Sequence, residues 1–228
     1  LFILILFLYK KLFLFILIMN NNVLKKIFSN ENCNNLLNLK YDSEGLWSIT
    51  HPHSADLISS KIKLFEKTGI KIDTIYDSTA GIGGNTISFA KHFNQVISVE
   101  KNESRFKLLK NNIQNYSYNN IELYNDDSIK LILNLNTKID AIFVDPPWGG
   151  PNYKYEDDIE ISMSNCNLTE MCVLFNAYEY NNNKIKLAVF KLPYNCNYED
   201  MLTNCKKIIK LHNIIKEGNV IYLFIIFN

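Results

Sequence analysis

The sequence has no charge excess. It carries 24 lysines and arginines against 23 aspartates and glutamates, a formal net charge of +1 over 228 residues. That balance excludes strong overall attraction to nucleic acid, while a local basic patch stays open. A cysteine framework is also missing. Cys33, Cys166, Cys172, Cys196 and Cys205 are odd in number and lack zinc-type paired spacing, which fits plain thiols in a reducing compartment. No internal repeat is visible, so a repeat architecture is excluded. With 47% hydrophobic and 21% charged residues, the composition is not that of a disordered chain. The length suits one domain, or one with an extension, around a sizeable core. Proline and glycine are scarce, at five and eight. Four of them nevertheless fall in one six-residue tract, DPPWGG at 145–150.

Residues 1–18 are apolar on both sides of Lys10 and Lys11. Such a stretch has the length of a bilayer span, about 20 residues. The two central lysines would each cost about 2.5–3.5 kcal/mol on insertion scales, and either apolar half alone is too short. Met19, followed by polar NNN, is read as the true start, with 1–18 as translated upstream sequence. A signal anchor is the competing reading. No membrane association is expected.

Residues 19–70 read as a helical extension and 71–228 as the main domain. Within the extension, 20–44 is a polar, asparagine-rich arm or short helix. Residues 45–67 begin extended and become helical, since Ala55, Ile58, Ile62 and Phe65 recur at helical spacing and Pro52 suits a helix start. From Lys71 the chain alternates strand and helix: KIDTIYD, a glycine turn and a helix; QVISVE; SRFKLLKNNIQNY as helix; IELY; a short helical SIKLILNLN; IDAIFV; LTEMCVLFNAYEY as helix; KIKLAVFKLP as a fifth strand; YEDMLTNCKKIIKL as helix; and a last strand or strand pair in HNIIKEGNVIYLFIIF. That order implies an α/β fold, a mainly parallel sheet with helices on both faces.

Ligands of such sheets bind outside the carboxyl ends of the strands, and that is where the unusual residues fall. Gly81, Gly83 and Gly84 lie between the first strand and its helix. Glycine permits a sharp turn and close backbone approach, and the helix start near Asn85 offers N–H groups to an anion. The spacing is not the dinucleotide fingerprint, because the third glycine comes too soon; a purely structural turn remains the alternative. Glu100 ends the second strand about 20 residues on, where an acid can accept from ribose hydroxyls; the alternative is a solvated strand end beside Lys101. Asp126 and Asp127 follow the third strand. One of them, Asp126 by preference, can accept from an adenine amine, and either can cap the next helix. Asp145 or its carbonyl can receive a hydrogen bond from an exocyclic amine. Trp148 offers a flat face to a base, or is a packing ring. His51 and His53 flank a proline in a turn, which is no case for a metal, and none is expected.

Together these features look like an S-adenosylmethionine-dependent amino-methyltransferase of the Rossmann-like class I fold. DSTAGIGGNTISFA and DPPWGGPNY further resemble the trimethylguanosine synthase family, which methylates the 2-amino group of 7-methylguanosine RNA caps. EGLWSITHPHSADLI and VFKLPYN are similar to two other stretches of that family, so the resemblance covers roughly 44–226. It implies that the cofactor is held by Asp77, Thr79, Gly81, Gly83, Asn85, Thr86, Glu100, Asp126 and Asp145. Ser48 and Thr50 are implied near the cap phosphates, Asn152 and Tyr153 near the reacting guanine, and Trp148 stacked on it. Asp145, the Pro146 carbonyl and Trp148 are the implied catalytic set, and the extension contributes to the cap site. The sequence departs from the family at Ala80, where a cysteine is usual, and at Trp47, where phenylalanine is. His51 interrupts the usual Thr-Pro pair, and the long N-terminal region of the large cellular enzymes has no counterpart, so a minimal catalytic core is expected.

A 7-methylguanine ring is cationic. Over Trp148 it gains cation–π attraction of about 0.5–2 kcal/mol beyond stacking of about 1–3 kcal/mol, which would favour a methylated cap over plain guanosine. The partner implied is 7-methylguanosine-capped RNA, met by a monomer in the nucleus or cytoplasm, with 2,7-dimethyl- or 2,2,7-trimethylguanosine as product. An amino-methyltransferase acting on a base of ribosomal RNA or DNA, and a catalytically inactive cap-binding module, are the alternatives.

Overall fold

The computed structural model describes residues 19–228; the expectations for 1–18 lie outside the described residues. A seven-stranded sheet organises the chain. Its strands are β1 (Thr74–Asp77), β2 (Gln95–Val99), β3 (Ile121–Tyr124), β4 (Ala141–Val144), β5 (Leu187–Pro193), β6 (Ile209–Glu217) and β7 (Val220–Phe227). The order is β3-β2-β1-β4-β5-β7-β6. β1 to β5 pair in parallel, and β7 pairs antiparallel with β5 and β6. The last strands are thus a hairpin pair. β1, β4 and β5 are buried along their whole length, as expected of parallel strands covered on both faces. β6 lies at one edge, mostly uncovered, with an irregular register between Leu211 and Asn213, a device that discourages edge pairing.

Alternate residues of each strand feed opposite faces. Tyr76, Ile142, Ala188 and Phe190 pack with Met171, Cys172 and Phe175 of α7 (Leu168–Ala177). Ile75, Ala141, Leu187 and Val189 pack with Ile58 and Ile62 of α3 (Pro52–Lys63) and Phe89 of α4 (Gly84–His92). A third cluster joins the amino-terminal arm to the domain. Leu24 and Ile27 of α1 (residues 19–27) meet Leu109 and Ile113 of α5 (Glu103–Gln114), with Ala80 and Ile82 of the glycine loop.

Three local expectations are corrected. The chain from Gly45 is not extended but lies in helix α2 (Ser43–Ser48), because Asp42 caps it by accepting from Gly45 N at 2.6 Å. The helix expected over 198–211 is only α8 (Glu199–Asn204). Ile209 onward is strand β6, and a short apolar run such as KIIKL does not distinguish the two states by periodicity. The helix expected over 168–180 stops at Ala177, and Glu179–Tyr180 pairs with Asn183–Lys184 in a two-residue ribbon.

Candidate active site

β1 is flanked by β2 and β4, so the strand order reverses there and leaves a crevice beyond the strand ends. Asp77 closes β1 with no exposed surface. Its carboxylate accepts from Thr86 Oγ1 at 2.7 Å and Thr79 N at 3.4 Å. Burial drives this carboxyl up to about 7 against those hydrogen bonds, with the charges of Asp145 and Glu100 adding to the rise. Thr86 is itself buried, 3.0 Å from Ser98 Oγ of β2, so it sits beneath Asp77 as a support.

Gly81 takes φ +57°, and a Cβ there would meet nothing within 4 Å. Its N–H donates to Glu100 Oε2 at 3.0 Å, and Asn102 N donates to Oε1 at 2.8 Å. Burial raises the Glu100 carboxyl, and the amides and the Arg105 guanidinium offset this only in part. Gly83 faces the other way: a Cβ would come within 3.2 Å of Leu109, so this glycine serves the packing of α5. Gly84, whose early position breaks the dinucleotide spacing, has a reason of its own. A Cβ on it would lie 2.6 Å from the Thr50 carbonyl oxygen, so only glycine lets the arm rest on the loop.

The arm is then pinned through Thr50, which is buried. Its Oγ1 accepts from Asn85 Nδ2 at 3.0 Å and from Lys191 Nζ at 2.9 Å. Ser48, at the end of α2, is exposed and shares none of these bonds. Past β3, Asp127 caps α6 (Ser128–Ile132), accepting from Ile129 N at 3.1 Å, and also pairs with Lys101 at 2.9 Å. Asp126 is exposed, with one oxygen accepting from Asp127 N at 2.7 Å. The capping duty thus falls to Asp127, leaving acceptor capacity on Asp126.

Beyond β4, the Asp145 amide donates to Thr79 Oγ1 at 2.8 Å, tying the DPPWGG turn to the glycine loop. The Asp145 carboxylate pairs with Lys191 Nζ at 2.6 Å. Burial raises this carboxyl, and the Lys191 charge and hydrogen bond only partly oppose it. Pro146 is buried in the turn. Trp148 is half-buried, with the Tyr153 ring edge-on at 5.0 Å and 77° and Lys191 Nζ at 5.5 Å from its centroid. Asn152 is exposed in the short turn Pro151–Tyr155. The residues the structure draws together are therefore Thr50, Asp77, Thr79, Gly81, Asn85, Thr86, Glu100, Asp145, Trp148 and Tyr153. Lys191 was missed at the level of sequence. Its signal was a lysine inside the otherwise apolar LAVFKLP.

The chain matches the family of RNA cap guanine-N2 methyltransferases over residues 72–228. It belongs to that family. It is similar to the trimethylguanosine synthase of Schizosaccharomyces pombe, 32% identical over 134 residues, covering 53% of this chain and 54% of the relative. It is also similar to the uncharacterized protein L320 of Acanthamoeba polyphaga mimivirus, 37% identical over 126 residues, covering 55% and 48%. The chain spans about half the length of these curated relatives. Precorrin-6y C5,15-methyltransferase of Geobacter metallireducens shares the fold at 12% identity, with a TM-score of 0.56 over 82% of this chain and 93% of that one. The matched domain thus has the Rossmann-like class I methyltransferase fold, and the cofactor of that family is S-adenosylmethionine. The crevice fits that group: carboxylates stand at the ends of β1, β2 and β3 for its donor groups, Gly81 leaves open space, and Asn85 Oδ1 is a buried acceptor with no partner among the described residues. Among those residues no helix is long and apolar enough to cross a membrane, and no group of three His, Cys, Asp or Glu is placed to hold a metal.

Proposed function

We propose that this domain transfers a methyl group to the exocyclic 2-amino group of 7-methylguanosine on capped RNA. The observation that carries the reading is the placement of Trp148 and Asp145 together, on one rigid turn at the strand end beside the crevice. Asp77, Gly81, Glu100 and Asp126 would hold S-adenosylmethionine, with Thr79, Gly83 and Thr86 shaping the loop and Asn85 supplying an acceptor. That group, when bound, would supply the electrophilic methyl and leave as its neutral thioether, the carbon–sulfur bonding pair going to sulfur. Trp148 takes the methylated guanine on the face that Lys191 leaves free, and the positive charge of the base strengthens the stack. Tyr153 buttresses the ring. Asn152 contacts the guanine, and Ser48 and Thr50, carried by the arm, line the cap's phosphate side.

The guanine amine is a poor nucleophile because its lone pair is delocalised into the ring, so alignment dominates the rate. Asp145 Oδ1 and the Pro146 carbonyl accept from the amine N–H groups and turn its lone pair toward the crevice. Positive charge grows on the nitrogen as its bond to carbon forms, and the carboxylate stabilises that charge. The surplus amine proton leaves to solvent. No histidine is needed as a base.

Incubation of the protein with S-adenosylmethionine and a 7-methylguanosine-capped oligoribonucleotide tests this. Digestion and mass analysis of the cap nucleoside should give 2,7-dimethylguanosine first, and the later appearance or absence of the trimethyl form decides the number of transfers. Methyl groups found only on internal bases would replace the cap reading by the ribosomal RNA or DNA alternative.

A further inference from the structure

Lys191 is a lysine that the fold buries, at 7% exposure, in a strand whose seven residues are all buried. Placing an ammonium there is unfavourable, because it loses its hydration, unless it is well paired. Its partners lie in separate segments. Nζ donates to Asp145 Oδ2 of the DPPWGG turn at 2.6 Å and to Thr50 Oγ1 of the arm at 2.9 Å, and it lies 5.5 Å from the Trp148 centroid. Thr50 Oγ1 in turn accepts from Asn85 of the glycine loop at 3.0 Å. One cation therefore spans the arm, the turn and, through Thr50, the loop.

We propose that Lys191 is a positioning residue: it holds one oxygen of Asp145, so that the other faces the target amine, and makes that aim depend on the arm being seated on the glycine loop. This rests on the cap-methylation reading for the identity of the amine, but not for the linkage itself. A carboxylate with a free torsion presents either oxygen in several directions. Fixing Oδ2 by a 2.6 Å bond and the Asp145 amide by Thr79 leaves Oδ1 a single direction. Displacing the arm removes Thr50 from Nζ and frees the ammonium to turn, so the acceptor loses its aim when the cap's own binding segment is absent.

Besides Lys191 from β5, the titratable groups that feel Asp145 are Asp77 at the end of β1 and Tyr222 on β7. Thr50 and Thr79 are its neutral neighbours. A Trp47→Phe background leaves Trp148 as the one indole, beside Asp145 and its lysine. In that background the pH dependence of Trp148 emission should move upward by about one unit or more with Lys191→Met, which keeps the stem and removes the charge. Lys191→Arg should restore most of the wild-type midpoint. For cap methylation, Lys191→Met should lower kcat by about 10–100-fold, move the acid limb of its pH profile with the fluorescence midpoint, and leave the KM for S-adenosylmethionine nearly unchanged. In an Asp145→Asn background the same substitution should change kcat by less than about twofold. An unmoved fluorescence midpoint, or an equal loss of kcat with and without Asp145, overturns the proposal. If Lys191→Met does not fold, Lys191→Gln carries the same comparison. Should the wild-type protein methylate no cap, the substrate reading falls, and the fluorescence arm still decides the linkage between Lys191 and Asp145.

Discussion

Strand β4 is bracketed by two aspartates, and a lysine stands beside each, Lys186 just before β5 and Lys191 within it. Asp140 precedes β4 and meets Lys186 at 2.9 Å; Asp145 follows it and meets Lys191 at 2.6 Å. The parallel register, Ala141 beside Leu187 and Val144 beside Phe190, makes these successive neighbours across the same pair of strands. Their surroundings differ. Asp140 also accepts from Asp73 N at 3.0 Å and Thr74 N at 3.1 Å, and Lys138 lies 3.1 Å away. Burial alone would raise its carboxyl, but these partners outweigh it and hold the group below the ordinary range. At the other end burial prevails: Asp145 has Lys191 and spare acceptor capacity, and it, Asp77 and Glu100 are all raised. The amino end of the sheet is saturated and fastens the strands together. The carboxyl end is left short of donors, as a site awaiting a ligand rich in N–H and O–H groups would be.

The contrast is sharpest in function. Asp145→Asn should lower kcat for cap methylation by about 10²–10³-fold, read by steady-state rates, and should also cost stability in urea denaturation, because Lys191 stays buried without its counter-charge. If Asp140→Ala lowered kcat to the same degree, the division between the two ends would be wrong. Trp148→Ala should raise the KM for capped RNA by about 30-fold, the worth of a stacked cationic base, with S-adenosylmethionine affinity by calorimetry kept within about threefold.

Asp140→Ala should cost about 2–3 kcal/mol in urea denaturation, because two backbone amides lose their acceptor. The sign with pH follows from its lowered carboxyl: the stabilisation is present above the unfolded value near 4 and lost as pH falls through the folded one, so variant and wild type should converge in acid. Asp77 runs the opposite way. Its carboxyl, raised to about 7, favours the fold below about 4 and loses that contribution as pH rises to 7. Asp77→Asn should therefore stabilise the protein by about 1–2 kcal/mol at pH 8 and by nearly nothing at pH 4, while weakening S-adenosylmethionine binding. A gain independent of pH would contradict the assigned burial cost.

Much of this was legible in the amino acids, for reasons that also explain the gaps. β1, β2 and β4 are short apolar runs ended by acids, and a strand buried on both faces leaves that mark. The DPPWGG turn announced itself by concentrating scarce residue types. Lys186 and Lys191 look alike in KIKLAVFKLP; which one faces the crevice depends on register against β4, a non-local property. Gly84 read as a misplaced fingerprint glycine because its reason is Thr50, more than thirty residues earlier and brought near only by docking of the arm. Only the first residues of the strand at 209–217, Ile209 to Leu211, looked helical, because an edge strand with one wet face and a register shift lacks clean alternation.

Under the proposed function, a half-buried indole beside a carboxylate selects a cationic guanine and aims its amine. The ratio of kcat/KM for 7-methylguanosine triphosphate over GTP, with labelled S-adenosylmethionine, tests it most directly. A ratio of at least about tenfold is expected, the lower range of a cation–π preference combined with better alignment, with its collapse in Trp148→Ala. Equal turnover of the two nucleotides by the wild-type protein would contradict it.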